Sequence, residues 1–191
     1  PFGMRGHFGD LQFLHAMAPE GQDARTTYEG IRMWMEFAYK ASRDELDPRS
    51  DAHAVEVEGM KKHFVRGSRK VGDLFNYRFK KAQVRGVALG QMLHIAQDSF
   101  AGCHTERDKY GAIVRFLSYG QQSSSKHADY DTDPQKVKAA LSGPLNPVMF
   151  GQELLELRLQ NREWKDVEPL VRRYFGPVDG AVKAAAGAHC A

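Results

Sequence analysis

The stretch Leu89 to His104, LGQMLHIAQDSFAGCH, constrains this chain more than any other. It sets His94, Asp98 and His104 in the pattern H-x3-D-x5-H. Four residues apart on a helix, His94 and Asp98 stand on one face, one turn above the other. An imidazole nitrogen and a carboxylate oxygen converging at that spacing suit a divalent, zinc-like ion. His127 and Asp131 repeat the device in KHADYD. Two such pairs plus His104 offer more donors than one four-coordinate ion needs, which implies two or more metals with a shared carboxylate. Leu89, Leu93, Ala96 and Phe100 recur at helical spacing around His94, so this helix is expected to be largely buried. A buried helix carrying His and Asp needs a partner for those polar groups, and a metal supplies one.

The 191 residues fit one domain with a real core, and no linker or internal repeat divides them. A net charge of +3, with Lys and Arg scattered, admits anionic substrates such as phosphate esters without marking a dedicated nucleic-acid binder. No apolar run is long enough to span a membrane, and no signal peptide is visible. A start at Pro1 fits a processed protein or an excised domain. Cys103 and Cys190 read either as one disulfide in an oxidising compartment or as two free thiols. Cys103 is set aside as a thiolate ligand or nucleophile, because the imidazole and carboxylate set is complete without it.

Helical patterns dominate the rest, and no strand pattern stands out, so the fold class expected is all-α, a single-domain helical bundle. Residues 1–6 read as extended, followed by a helix-like run with Leu11, Leu14 and Ala18 on one side and His15 within it. The longest helix is expected over 23–46, with Ile31, Trp34, Met35, Ala38 and Ser42 on one face and Phe37 and Tyr39 widening it. Residues 47–53 form a turn-rich break. The basic stretch 68–82, interleaved with Leu74, Phe75, Tyr77 and Phe79, reads as the outer face of an amphipathic helix or as a single-strand-binding patch. The central helix is expected over 84–101, stopped by Gly102. QQSSSK at 121–126 reads as a loop at the mouth of the site, Pro134 as a helix start, and Pro144 and Pro147 as a hinge. Helices follow at 150–161 and 163–175, and the Ala-rich tail reads as a weak last helix.

The pattern H-x3-D-x5-H followed by H-x3-D resembles the zinc-dependent phospholipase C and single-strand-specific nuclease superfamily, over roughly the first two thirds of the chain. The interval from His104 to His127, and Asp at 131, look like the nuclease branch; the wording HIAQD, with Gln97 before Asp98, looks like bacterial phospholipase C-type proteins. The resemblance implies a helical fold holding two or three zinc ions. It makes Asp98 the bridging carboxylate and casts His63, followed by Phe64, as a further ligand and its aromatic neighbour at the substrate pocket. Asp47 or Asp51 would be the family's upstream carboxylate, as ligand or as general base orienting a water. The family's N-terminal ligands are a Trp amine and a nearby His; no Trp stands here, so either the third metal is absent or His7 and His15 together replace them. The family often continues H-F-x-D, whereas this chain reads HFVRG. Arg66 at that position would bind a substrate phosphate or sit as a solvated charge.

Metals beside a phosphodiester would acidify a water, hold the non-bridging oxygens and stabilise the leaving oxygen. The function expected is therefore phospholipase C-type hydrolysis of headgroup phosphodiesters, with transient contact at a membrane surface. The alternatives are a single-strand-specific nuclease or 3'-nucleotidase acting on nucleic acid, and a non-catalytic domain that metal merely stabilises. A secreted, periplasmic or delivered protein is the matching setting.

Overall fold

The computed structural model describes residues 2–75 and 81–191. The described residues are mostly helical, with one small sheet. In chain order they form α1 (Phe2–Phe8), a 3-10 turn (Gln12–His15), α2 (Ala24–Ser42), a 3-10 turn (Ala52–Ala54), α3 (Met60–His63), α4 (Val71–Leu74) and α5 (Lys81–Asp98). There follow β1 (Thr105–Arg107), β2 (Ile113–Phe116), a 3-10 turn (Tyr119–Gln121), α6 (Ser124–Thr132), α7 (Pro134–Leu141), α8 (Pro147–Leu159) and α9 (Trp164–Phe175). None of these helices is long and apolar enough to cross a membrane.

The core is built on α2, which packs against both α5 and α9. Asp23 starts it, accepting a hydrogen bond from the Thr26 amide at 2.8 Å. Ile31, Trp34, Met35, Ala38 and Ser42 are buried as their spacing foretold, and so are Phe37 and Tyr39 on the flank. Each large apolar side chain withdrawn this way contributes about 1.5–3 kcal/mol. Two polar tips stay satisfied inside: Trp34 Nε1 donates to Gln91 of α5, and the Tyr39 hydroxyl donates to the Arg162 carbonyl.

Helix α5 buries a different stripe from the expected one. Val84, Ala88, Met92, Ile95 and Ala96 face the core, whereas Leu89, Leu93 and Phe100 are only partly buried. The register is turned by about one position, and this carries His94 to the open side of the helix, where half of its side chain is exposed. The expectation of a largely buried helix is thereby corrected to one buried face.

Other departures have local causes. Residues 2–8 are helical, not extended. The segment after His104 forms an antiparallel hairpin, with Thr105 paired to Phe116 and Glu106 to Arg115. Its strands are three and four residues long, too short to show alternation in sequence. Asp108 builds the turn by accepting from the amides of Tyr110 and Ala112, and Gly111 supplies the positive φ of 85°. Half-buried Arg107 ties the hairpin inward through the carbonyls of Ser99, Gly111 and Tyr174, with its guanidinium 3.9 Å from the Phe100 ring centre. Burial lowers its pKa to about 9. Pro147 is the first residue of α8 rather than a hinge, because Asn146 caps that helix on the Met149 amide.

The tail is not helical. It runs back along the hairpin, with Val178 and Val182 donating to Ile113 and Val114, and the Ala185 carbonyl accepting from Ser118. Cys103 and Cys190 close it as a disulfide, with Cα atoms 5.8 Å apart. Of the basic stretch 68–82, α4 with buried Val71, Leu74 and Phe75 is core structure. Tyr77, Arg78, Phe79 and Lys80 lie outside the described residues.

Candidate metal centre

The pitch of α5 brings His94 Nε2 to 3.2 Å from Asp98 Oδ2. The 3-10 turn Gln12–His15 delivers a third group from far away in sequence. Ala16 after it takes the left-handed conformation, φ 50° and ψ 34°, which turns the chain back so that His15 Nδ1 lies 3.0 Å from the same Asp98 oxygen. One ligand atom from each of His15, His94 and Asp98 falls within 4.8 Å of the other two. His7 stands beside them, its ring centre 4.7 Å from that of His15.

A second group forms where the end of α5 meets α6. His104, His127 and Asp131 also place their ligand atoms within 4.8 Å of one another. Asp131 Oδ1 is 3.6 Å from His104 Nε2, and Asp131 Oδ2 is 3.4 Å from His127 Nε2. His104 is almost fully buried, and its Nδ1 donates to the His15 carbonyl at 2.5 Å. His127 Nδ1 donates to Gln122 Oε1 at 2.7 Å. The turn that presents His15 to the first group thus orients His104 in the second.

These bonds make a chemical test of the donor set possible. With Nδ1 carrying the proton in both neutral rings, both Nε2 atoms are bare lone pairs. They face each other at 3.1 Å, with a carboxylate alongside. A proton on His104 Nε2, donated to His127 Nε2, closes this contact as a hydrogen bond, and a metal ion that displaces that proton would be met by both nitrogens and the carboxylate. Nitrogen and carboxylate oxygen donors in this number suit zinc, and the outer bonds to a backbone carbonyl and an amide are the usual way a ligating His is held. The residues therefore fit a metal ion at each group.

The charges favour a proton on His104 Nε2, which a metal ion would have to displace. Burial alone would lower the His104 pKa, but the hydrogen bond to Asp131 and the charges of Asp98 and Asp131 outweigh it and raise the value. Burial and the neighbouring His104 charge lower that of His127. Burial would raise the Asp131 carboxyl, yet His104, His127 and His94 hold it below the ordinary range. Asp98 acts on both rings of the second group and His94 on its carboxylate, so the two groups share one field.

Six of the expected ligands, His15, His94, Asp98, His104, His127 and Asp131, are thus brought together, with His7 adjacent. The remaining candidates lie elsewhere. His63 Nδ1 is paired with Asp10 at 2.8 Å, and Arg5 holds both oxygens of that carboxylate. Phe64, expected at the substrate pocket, is only 2% exposed and packs near Trp34, where a substrate could not reach it. Asp47 accepts from the Arg49 amide, and Asp51 from the amides of His53 and Gly67; these are turn-forming bonds outside both groups. Arg66 is exposed. A third cluster, Cys103, His189 and Cys190, offers no thiolate because its cysteines are joined.

Two residues at the centre, Gln122 and Tyr119, escaped the sequence reading, as did Asp10, which draws His63 away from it. Asp10 and Gln122 act through contacts with no local periodicity. Tyr119 sets its ring edge-on to His7 at 5.4 Å and to His127 at 5.1 Å, walling the space between the groups. Comparison with protein-family models, curated proteins and solved structures finds no match.

Proposed function

We propose that this chain is a metal-dependent phosphoric ester hydrolase of the phospholipase C type, with zinc ions held by His15, His94 and Asp98 and by His104, His127 and Asp131. The observation that carries the reading is the pair of His-His-Asp groups, each gathered within 4.8 Å and joined by the bond from His104 to the His15 carbonyl. Bound there, the ions would supply Lewis acidity and an acidified water. The chain's own part is to hold and orient. Asp98 faces two imidazoles at once and is the natural bridge between sites, and His104 and His127 are locked with Nε2 inward. A substrate phosphate has access, because the side chains of His94 and Asp131 remain 51% and 39% exposed. That openness favours catalysis over a purely structural metal, whose shell would be closed. His7, beside His15, would complete a third site.

The zinc-dependent phospholipase C fold is part of the same proposal, supported by the helical architecture and the ligand order along the chain. A single-strand-specific nuclease is the second reading, favoured by the His104–His127 interval and by Asp at 131. The deciding experiment loads the protein with zinc and measures headgroup release from phospholipid vesicles beside digestion of single-stranded DNA and RNA, each with and without chelator. Headgroup release lost on chelation is the expected outcome. Turnover of nucleic acid alone transfers the proposal to the nuclease reading, and no turnover of any substrate, with a chelator-sensitive melting temperature, rejects catalysis.

A further inference from the structure

Gln122 sits between the metal centre and the disulfide-bonded tail. Its Nε2 donates to the Cys103 carbonyl at 2.8 Å and to the Ala186 carbonyl at 2.9 Å. Both partners can only accept, so both amide hydrogens are committed and the amide has one orientation. Oε1 is then turned toward His127, whose Nδ1 lies 2.7 Å away. An amide oxygen cannot donate, so the proton must reside on Nδ1 and the lone pair on Nε2. That is the reverse of the tautomer neutral histidine prefers in water. The two carbonyls are themselves anchored. Cys103 and Cys190 are joined by the disulfide, and Ser123 donates to the Cys190 carbonyl at 2.8 Å.

We propose that Gln122 is a positioning residue: held by the Cys103 and Ala186 carbonyls, it selects the Nδ1–H tautomer of His127 and so presents Nε2 as the metal donor. The tautomer selection stands on hydrogen bonding alone, and its use as a ligand rests on the metal reading above. Outer partners of this kind typically change metal affinity by roughly 10–100-fold when removed. Replacing Gln122 by Leu removes the acceptor. Replacing it by Glu keeps an acceptor toward His127 but has no hydrogens for the two carbonyls, so a merely structural role would be hurt more by Glu than by Leu.

The test records long-range nitrogen–proton spectra of the His127 ring in metal-free wild-type, Gln122→Leu and Gln122→Glu proteins, each checked for wild-type helicity. Zinc affinity is then measured on the same samples against a competing chelator. The expected result is an Nδ1–H ring in wild type, retained in Gln122→Glu and lost in Gln122→Leu, with zinc affinity at one site roughly 10–100-fold weaker in the Leu variant than in wild type. An Nε2–H ring in wild type, or an unchanged ring in Gln122→Leu, overturns the proposal. Wild-type protein that shows the Nδ1–H ring but takes up no zinc overturns the metal reading instead, and the tautomer data still decide the role of Gln122.

Discussion

The Nε2 atoms of His104 and His127 confront each other at 3.1 Å while the Nδ1 atom of each ring is engaged by an oxygen, the His15 carbonyl for one and Gln122 for the other. A proton on His104 Nε2 joins the two nitrogens in the metal-free protein, and on the metal reading zinc takes that proton's place. Zinc-saturated protein that has never met a chelator should therefore carry at least two ions per chain by elemental analysis, and three if His7 completes a further site. His104→Ala should remove about one equivalent and leave the other. A wild-type count of one or none would contradict the two-site arrangement.

Asp98 and Asp131 should respond differently to loss of charge. Asp98 faces His15 and His94 directly, so Asp98→Asn leaves the first group without its carboxylate and weakens the field on His104 and His127 as well. Asp131 serves the second group. If the proposed hydrolase reading holds, Asp98→Asn abolishes phosphoester hydrolysis without rescue by added zinc, whereas Asp131→Asn is partly rescued. Turnover, metal content and circular dichroism measured on both variants check this, and near wild-type activity in Asp98→Asn would remove its bridging role.

Asp10 offers a prediction of pH dependence away from the two candidate metal groups. The Arg5 hydrogen bond, opposed by partial burial and aided by His63, lowers its carboxyl to about 2. A carboxylate whose folded pKa lies below its unfolded value stabilises the fold above the unfolded pKa, near 4, and loses that contribution as pH falls toward about 2. The pair is substantially exposed, so its worth is about 0.5–1 kcal/mol. Asp10→Asn should therefore lower stability by that amount at pH 6, with the difference from wild type shrinking between pH 4 and pH 2. Denaturant titrations at a series of pH values test the trend.

Gly30 in α2 tests the packing that delivers His15. A Cβ there would stand 2.7 Å from the Phe13 ring, two residues before that histidine. Helix propensity favours Ala over Gly by about 1 kcal/mol. Overpacking costs about 1–3 kcal/mol and should win, because Phe13 is buried with nowhere to retreat. Gly30→Ala is expected to lower the melting temperature and also to weaken zinc binding at the His15 group; a more stable variant would refute the close packing.

The disulfide spans 87 residues of sequence. The chain-entropy model gives about 4–5 kcal/mol for a loop of that length, and native disulfides deliver about 2–5 kcal/mol. Cys103→Ser with Cys190→Ser should reduce the denaturation midpoint accordingly while helicity persists, which equilibrium unfolding will show.

Sequence by itself determined what is local. The four-residue spacing of His94 with Asp98 and of His127 with Asp131 survives intact, because the pitch of a helix alone sets those contacts. The burial of Ile31, Trp34, Met35 and Ala38 follows from the same period. Tertiary structure decided everything that depends on the path of the chain between helices. His15 reaches Asp98 across 83 residues only through the left-handed turn at Ala16, and His63 is drawn to Asp10 by an ion pair that spacing cannot reveal. The register of α5 was set by its packing against α2 and α8 rather than by its own apolar residues, since leucines stand on more than one side. The tautomers of His104 and His127 lay furthest from view: each is imposed by one oxygen, and an oxygen acts only at hydrogen-bond distance, a property of folded geometry and not of residue order.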